Sequence, residues 1–242
     1  MTYSSPIKAT RTSEIGPWNG ISETQMAAEA AKAANPDATL LINDFNLSES
    51  YRILIDGCLN AGVPISAIGI QTHQHQGYMG EEKLREVLKR YEHFGLPLHF
   101  TENTLISGDL MPDYIVDLND WQVDEWPSTP EGEARQAKEW EEMYRILFDD
   151  PNVKAITGWD FGDGAWLNAP SGLITKDNRC KPAYEKLKSL SKGEWWTKGE
   201  VIRTNAQGIV SIKGTKGTYE IEGADGVITL GAEPAEATVT LK

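Results

Sequence analysis

The chain has 242 residues, 40 % of them hydrophobic, which is room for one large domain or a domain with a small module. A net charge of −13 argues against nucleic acid and anionic membranes as partners. No apolar run is long enough to cross a membrane, and Met1–Gly20 is polar, without the apolar segment of a signal peptide. Cys58 falls in a helical stripe and Cys180 in a distant loop, so two free thiols are expected rather than a disulfide framework or a metal motif.

Residues 1–21 have no clear periodicity and read as an N-terminal remnant. A helix is predicted from Ser22, where Ser22 and Gln25 can form a capping box, through the alanine-rich 26–34 to Asn35-Pro36. A strand at Ala38–Ile42 runs into Asn43-Asp44-Phe45-Asn46. Helix 49–61 carries Tyr51, Leu54, Ile55, Cys58 and Leu59 on one face, and Gly62 and Pro64 end it. Strand 65–70 leads to Gln71-Thr72-His73-Gln74-His75. Helix 81–94 repeats the stripe with Leu84, Val87, Leu88 and Tyr91, and Gly95 closes it. Strand 97–102, with Leu98 and Phe100 apolar, ends on Glu102. The excursion 103–130 is long enough to be functional or disordered, and Trp121 and Trp126 argue for order. Helix 131–149 places Trp140, Met143, Tyr144 and Leu147 in register. Strand 153–159 runs into Trp159-Asp160-Phe161-Gly162-Asp163 and a glycine-rich loop, 162–172. A last helix, 182–191, packs through Ala183, Leu187 and Leu190. After Trp196 come short runs at Val210/Ile212, Tyr219/Ile221, Val227–Leu230 and Val239/Leu241, read as a small β module of four or five strands over 197–242.

Four apolar runs, each ending in hydrogen-bonding or aromatic residues and each followed by a helix, predict an α/β fold: part of a (β/α) TIM-type barrel over 22–196. A full barrel takes roughly 250 residues and eight such units. In that fold the site lies at the carboxyl ends of the strands, so the polar clusters converge. An acidic group at the end of a buried strand costs desolvation unless a partner or a task justifies it. Glu102 is therefore either a salt-bridged structural residue or a working carboxylate. The chain has eight Trp, a high count, and Trp is a suitable stacking platform for sugar rings as well as a core residue.

Four spaced motifs carry a resemblance: Gly69-Ile70-Gln71-Thr72-His73, Gly95-Leu96-Pro97-Leu98-His99-Phe100-Thr101-Glu102, Ile156-Thr157-Gly158-Trp159-Asp160 through Trp166, and Lys181-Pro182-Ala183-Tyr184. Over residues 22–191 the chain resembles glycoside hydrolase family 10, the retaining β-1,4-xylanases. Leu41–Asn46 resembles the fifth-strand segment of that family, with Phe45 where Tyr is usual. The resemblance implies the last four β/α units of the barrel, β-1,4-xylan or xylo-oligosaccharides as substrate, no metal or cofactor, and secretion. It makes Glu102 the nucleophile and His73 its orienting partner. Gln71 would contact substrate or nucleophile, Asn43 and Asn46 the leaving-group side, and Trp159 and Trp166 the aromatic wall of the −1 subsite. His75 is a weaker candidate, and Asp44, Asp160 and Asp163 could each be strand-end anchors. Two departures stand out. Thr104 occupies the place of an Asp that usually completes the network through the His, and a hydroxyl cannot stabilise an imidazolium. The second is that no strand bearing the acid/base Glu of the family is found in residues 1–37. The expectation is therefore a chain carrying the nucleophile without the acid/base half. Its rivals are a non-catalytic half-barrel that binds oligosaccharide weakly and a self-associating half-barrel paired through its open edges.

Overall fold

The structure, a computed structural model, describes residues 17–197 and, beyond them, 201, 203–211, 214, 217–222, 224–225, 227–231 and 240–241. Helices and strands alternate along the first unit, Met1–Tyr184: α1 (Pro17–Ala34), β1 (Leu41–Asp44), α2 (Glu49–Asn60), β2 (Ala67–Gln74), α3 (Gly80–Glu92), β3 (Leu98–Leu105), α4 (Pro130–Asp149) and β4 (Val153–Gly158). The helix α5 (Pro182–Ser189) follows, and the chain divides between Tyr184 and Glu185. The four strands form one parallel sheet in the order β1-β2-β3-β4.

The helices form where the apolar stripes place them. Tyr51, Ile55 and Cys58 are buried on α2, Leu84, Val87, Leu88 and Tyr91 on α3, and Trp140, Met143 and Leu147 on α4. Ser48 caps α2 by accepting from Ser50 N, and Thr129 caps α4 by accepting from Gly132 N. The helix predicted from Ser22 begins instead at Pro17, a residue suited to a first helical turn, and this puts Ser22 inside α1 rather than at its cap. Residues 1–16 lie outside the described residues.

Three strands reach further toward their carboxyl ends than their apolar runs predict, while β4 ends at Gly158, one residue short of the predicted 159. β1 ends at Asp44 rather than Ile42, β2 at Gln74 rather than Ile70, and β3 at Leu105 rather than Glu102. Polar side chains bonded to one another hold these extensions in the sheet. Gln71, Thr72 and His73 pair in register with Glu102, Asn103 and Thr104, and each pair is joined by a side-chain hydrogen bond, at 3.0, 2.6 and 3.1 Å. The register of β2 against β3 slips between Ile70 and Gln71, and Thr101 is the unpaired extra residue.

The excursion 106–129 is ordered around a small core of its own. Ile106, Met111, Trp126 and Ala169 are buried together, with Ile115, Leu118, Trp121, Val123 and Leu167 packed against them. Trp126 Nε1 donates to Asp109 O at 2.7 Å, and Gln76 Nε2 donates to Pro112 O and Ile115 O.

The second unit, Glu185–Lys242, contains two antiparallel pairs, β5 (Gly217–Glu220) with β7 (Val227–Leu230) and β6 (Ala224–Asp225) with β8 (Thr240–Leu241). Among the described residues these pairs do not join into one sheet, and Val210 is outside any strand, unlike the predicted module. Ile212 and Val239 lie outside the described residues. No helix among the described residues is long and apolar enough to cross a membrane.

The seam between β3 and α4 gives a test of this packing. An added Cβ at Gly132 would lie 2.0 Å from Ser107 O, a backbone atom that also accepts from Thr129 N. In an open helix Gly→Ala gains about 1 kcal/mol. Here Gly132→Ala should instead cost about 1–3 kcal/mol, the usual penalty of overpacking. Urea denaturation measures it, and an unchanged or raised midpoint would contradict the close approach.

Candidate active site

The register slip decides which way Glu102 faces. Along β2 the side chains of Ile68, Ile70, Thr72 and Gln74 share one face, and Gln74 Nε2 reaches Met143 Sδ of α4 from it. Leu98 and Phe100 pair with Ile68 and Ile70, so they share that helix-covered face. Strict alternation would send Glu102 the same way. The extra residue, Thr101, turns Glu102 and Thr104 to the opposite face, beside Gln71 and His73.

Glu102 is 6 % exposed, and both its oxygens are held. Oε1 accepts from Gln71 Nε2 at 3.0 Å and Asn43 Nδ2 at 3.4 Å, and Oε2 lies 3.2 Å from His73 Nε2. Asn43 comes from β1, with β2 between it and Glu102. Its side chain crosses over Gly69, where a Cβ would sit 2.5 Å from Asn43 Oδ1. That same Oδ1 accepts from Thr101 Oγ1 at 2.7 Å, so the extra residue also fixes the asparagine.

The other side of the site is aromatic. Trp166 lies edge-on to His73, with centroids 4.9 Å apart, and Trp159 does the same at 5.7 Å. Trp159 is 43 % exposed, while Trp166 is half-buried. His75 is buried against Trp166 and Trp126, with neither ring nitrogen hydrogen-bonded among the described residues, and burial lowers its pKa to about 4. It is enclosed beneath the aromatic residues rather than open to a ligand. A cavity of about 350 Å³ adjoins Gln71 and His73, walled further by Phe45, Leu47, Met79 and Lys83.

Asn46 is not brought into this cluster. It is exposed, its Oδ1 accepts from Ser48 N, and its own N donates to Asp44 Oδ1. These are turn contacts leading into α2, a common use of Asn and Asp before a helix. The three aspartates considered as anchors are bonded to protein groups: Asp44 to Asn46 N, Asp160 to Ser171 Oγ, and Asp163 to Gly172 N and Lys181 Nζ.

Lys181 is the residue that sequence reasoning misses. It is fully buried, and its Nζ lies 2.5 Å from Asp163 Oδ1, 2.8 Å from Ser107 Oγ and 3.4 Å from Pro170 O. It ties the glycine-rich loop bearing Trp166 to the end of β3. Burial lowers the lysine and raises Asp163, and their mutual attraction opposes both shifts. Its place in the Lys181-Pro182-Ala183-Tyr184 motif is the only sequence signal, since lysine is ordinarily exposed.

Burial raises the pKa of Glu102, opposed by the hydrogen bond from Asn43. Among the described residues no lysine or arginine pairs with it. Burial lowers His73 to about 4. The carboxylate is thus held by neutral donors. Among the described residues no cluster of His, Cys, Asp and Glu could hold a metal ion.

A parallel sheet with its polar groups gathered at the carboxyl ends of the strands defines a protein of the (β/α)-barrel class. The model of glycosyl hydrolase family 10 matches residues 5–190, and the chain belongs to that family. It is 28 % identical over 176 residues to endo-1,4-beta-xylanase B of Thermotoga neapolitana, covering 66 % of this chain and 45 % of that protein. To an endo-1,4-beta-xylanase of Geobacillus stearothermophilus it is 27 % identical, covering 69 % and 52 %. Among solved structures, a family 10 protein from Paenibacillus barcinonensis superposes with a TM-score of 0.58 at 25 % identity, covering 72 % of this chain and 52 % of that one. A mutant xylanase A of P fluorescens subsp. cellulosa in complex with xylopentaose gives 0.57 at 25 % identity, covering 70 % and 54 %. The chain spans about half the length of these relatives.

Two outcomes follow from the charges. A carboxyl with a raised folded pKa contributes stability that is full below its unfolded value, about 4.3, and is lost as pH rises through the folded value. Glu102→Gln cannot ionise, so its melting temperature should gain on the wild type as pH rises from about 4 to 7. A difference that stays constant over that range would show the carboxylate to be unstrained. Lys181→Met should cost about 3–5 kcal/mol, because it leaves Asp163 buried and unpaired. Adding Asp163→Asn should recover part of the loss, measured by denaturation with tryptophan fluorescence. No recovery would mean that packing rather than the ion pair supplies the stability.

Proposed function

We propose that this chain is the nucleophile-bearing part of a retaining endo-β-1,4-xylanase, acting on β-1,4-xylan or xylo-oligosaccharides. The observation that carries the reading is Glu102, turned to the site face and held by Gln71, Asn43 and His73 beneath Trp159 and Trp166. The names of the relatives and the xylopentaose-bound neighbour support the substrate class.

In this reading Glu102 attacks the anomeric carbon as the glycosidic C–O bond breaks, forming a glycosyl ester. A second carboxyl protonates the departing oxygen, then removes a proton from the water that cleaves the ester. Gln71 and His73 hold the attacking carboxylate. Asn43 serves both the carboxylate and the leaving-group side, and Trp159 and Trp166 wall the sugar ring. Asn46 is assigned to the leaving-group side by the family resemblance alone, since its side chain caps the turn before α2. The acid/base carboxyl is supplied by a segment beyond the motifs named here, either another polypeptide stretch or a second copy of the chain. A polymer as large as xylan sets the reaction outside the cell.

The test uses chain 1–242 with an activated aryl 2-fluoroxyloside, whose leaving group needs no acid, and with xylan, alongside size-exclusion chromatography. The expected result is one 2-fluoroxylosyl ester on the peptide containing Glu102, with loss of the aryl alcohol, and no steady turnover of xylan. Glu102→Gln should slow labelling on the order of 10³-fold or more. An adduct on another carboxyl would overturn the nucleophile assignment. Steady hydrolysis of xylan by a monomer would place the acid/base group within this chain. No adduct at all, with an intact fold, would favour a non-catalytic half-barrel that binds oligosaccharide weakly.

A further inference from the structure

His73 bridges two residues of β3. Its Nε2 lies 3.2 Å from Glu102 Oε2, and its Nδ1 lies 3.1 Å from Thr104 Oγ1. The slip at Thr101 makes this possible, because it brings Glu102 and Thr104 to the same face, flanking one ring. Thr104 is 1 % exposed, and the imidazole is the hydrogen-bond partner of its hydroxyl. We propose that Thr104 is a positioning residue: its hydroxyl donates to His73 Nδ1 and holds the ring as the neutral tautomer protonated at Nε2, which donates to Glu102.

The argument is one of hydrogen inventory. An ionised carboxylate only accepts, so the nitrogen facing Glu102 must carry a proton. A neutral imidazole has one N–H, which leaves Nδ1 bare and able only to accept. Thr104 can donate, and among the described residues no carboxylate lies within hydrogen-bond reach of that nitrogen to stabilise a second proton. Among the described residues the titratable groups in contact with the ring are Glu102 from β3 and His75 from β2, while Lys83, Glu86 and Arg90 of α3 line the same cavity as the ring. Trp159 and Trp166, from the chain after β4, pack edge-on to it. The low pKa of the buried ring agrees with the neutral form.

A consequence rests on the reading of Glu102 as nucleophile. Its charge would be oriented by neutral N–H groups without a cation to neutralise it, so its electrons stay available for attack. The tautomer itself does not depend on that reading, and it is tested without turnover.

Long-range ¹H–¹⁵N correlation spectra of the full chain read the protonation of each ring nitrogen. At neutral pH His73 should show a protonated Nε2 and a bare Nδ1 carrying the shift of a hydrogen-bond acceptor. Thr104→Ser should leave both signals in place. Thr104→Val, which keeps the branched shape and loses the donor, should move Nδ1 toward the position of an unbonded imine nitrogen. Thr104→Asp should protonate both nitrogens at neutral pH. Circular dichroism checks each fold, and the Ser and Val pair suffices if the Asp variant does not fold. A wild-type ring protonated at Nδ1, or a Val variant with unmoved signals, would overturn the proposal. A fixed tautomer combined with no adduct on Glu102 would leave it standing while removing the nucleophile.

Discussion

Between Phe100 and Asn103, β3 carries one residue more than either strand beside it. The side-chain period of a strand is two, so that single insertion exchanges its faces. Leu98 and Phe100 stay against the helices, while Glu102 and Thr104 face away from them. Without the slip, the carboxylate would be pressed into the helix-covered layer opposite Thr72, away from Gln71, Asn43 and His73. With it, three successive rungs between β2 and β3 are closed by side-chain hydrogen bonds. The middle rung, Thr72 to Asn103, lies on the helix-covered face and binds the same strands from behind. The position of the catalytic candidate is thus a property of sheet register, and it is fixed by the whole length of two strands.

Burial and hydrogen bonding act on Glu102 in opposite directions, and burial is the larger. The site keeps this carboxylate under strain because its donors are amides and an imidazole. An arginine in the same place would stabilise the charge and make it a poorer nucleophile. The opposite solution appears close by, where Lys181 and Asp163 meet directly in the interior. There the charges serve attachment: the glycine-rich loop is held against the end of β3 by an ion pair and two further contacts. Glu102 and Asp163 thus differ in the charge of what holds them.

Much of this was legible in the residues. Stripes such as Leu84, Val87, Leu88 and Tyr91 could form only an amphipathic helix, and the apolar runs located all four strands of the sheet. Glu102 stood out as a carboxylate ending a buried strand, whereas His73 and Gln71 were singled out from their polar cluster by the family resemblance. Strand lengths were less readable, since polar rungs beyond Ile70 and Glu102 resemble the start of a loop. The slip at Thr101 leaves no trace in composition, and only pairing with neighbours defines it. Lys181 was hidden by the habits of its residue type. Asn46 matched a family position, yet its side chain is used locally in the turn before α2. The capping box at Ser22 was a local pattern overruled by a better helix start at Pro17.

The segment between β3 and α4 has apolar residues enough to pack upon itself, and it shares them with Leu167 and Ala169 of the loop that bears Trp166. Its outward residues, including Tyr114 and Val116, take no part in that packing and stand in solvent. The two sides of the segment are therefore under different physical constraints. Changes at Met111 or Trp126 would be felt through Ala169 at the aromatic wall, while exchanges at Tyr114 or Val116 would leave the interior unaltered. The rim can thus be redrawn by substitution while the floor around Glu102 keeps its packing.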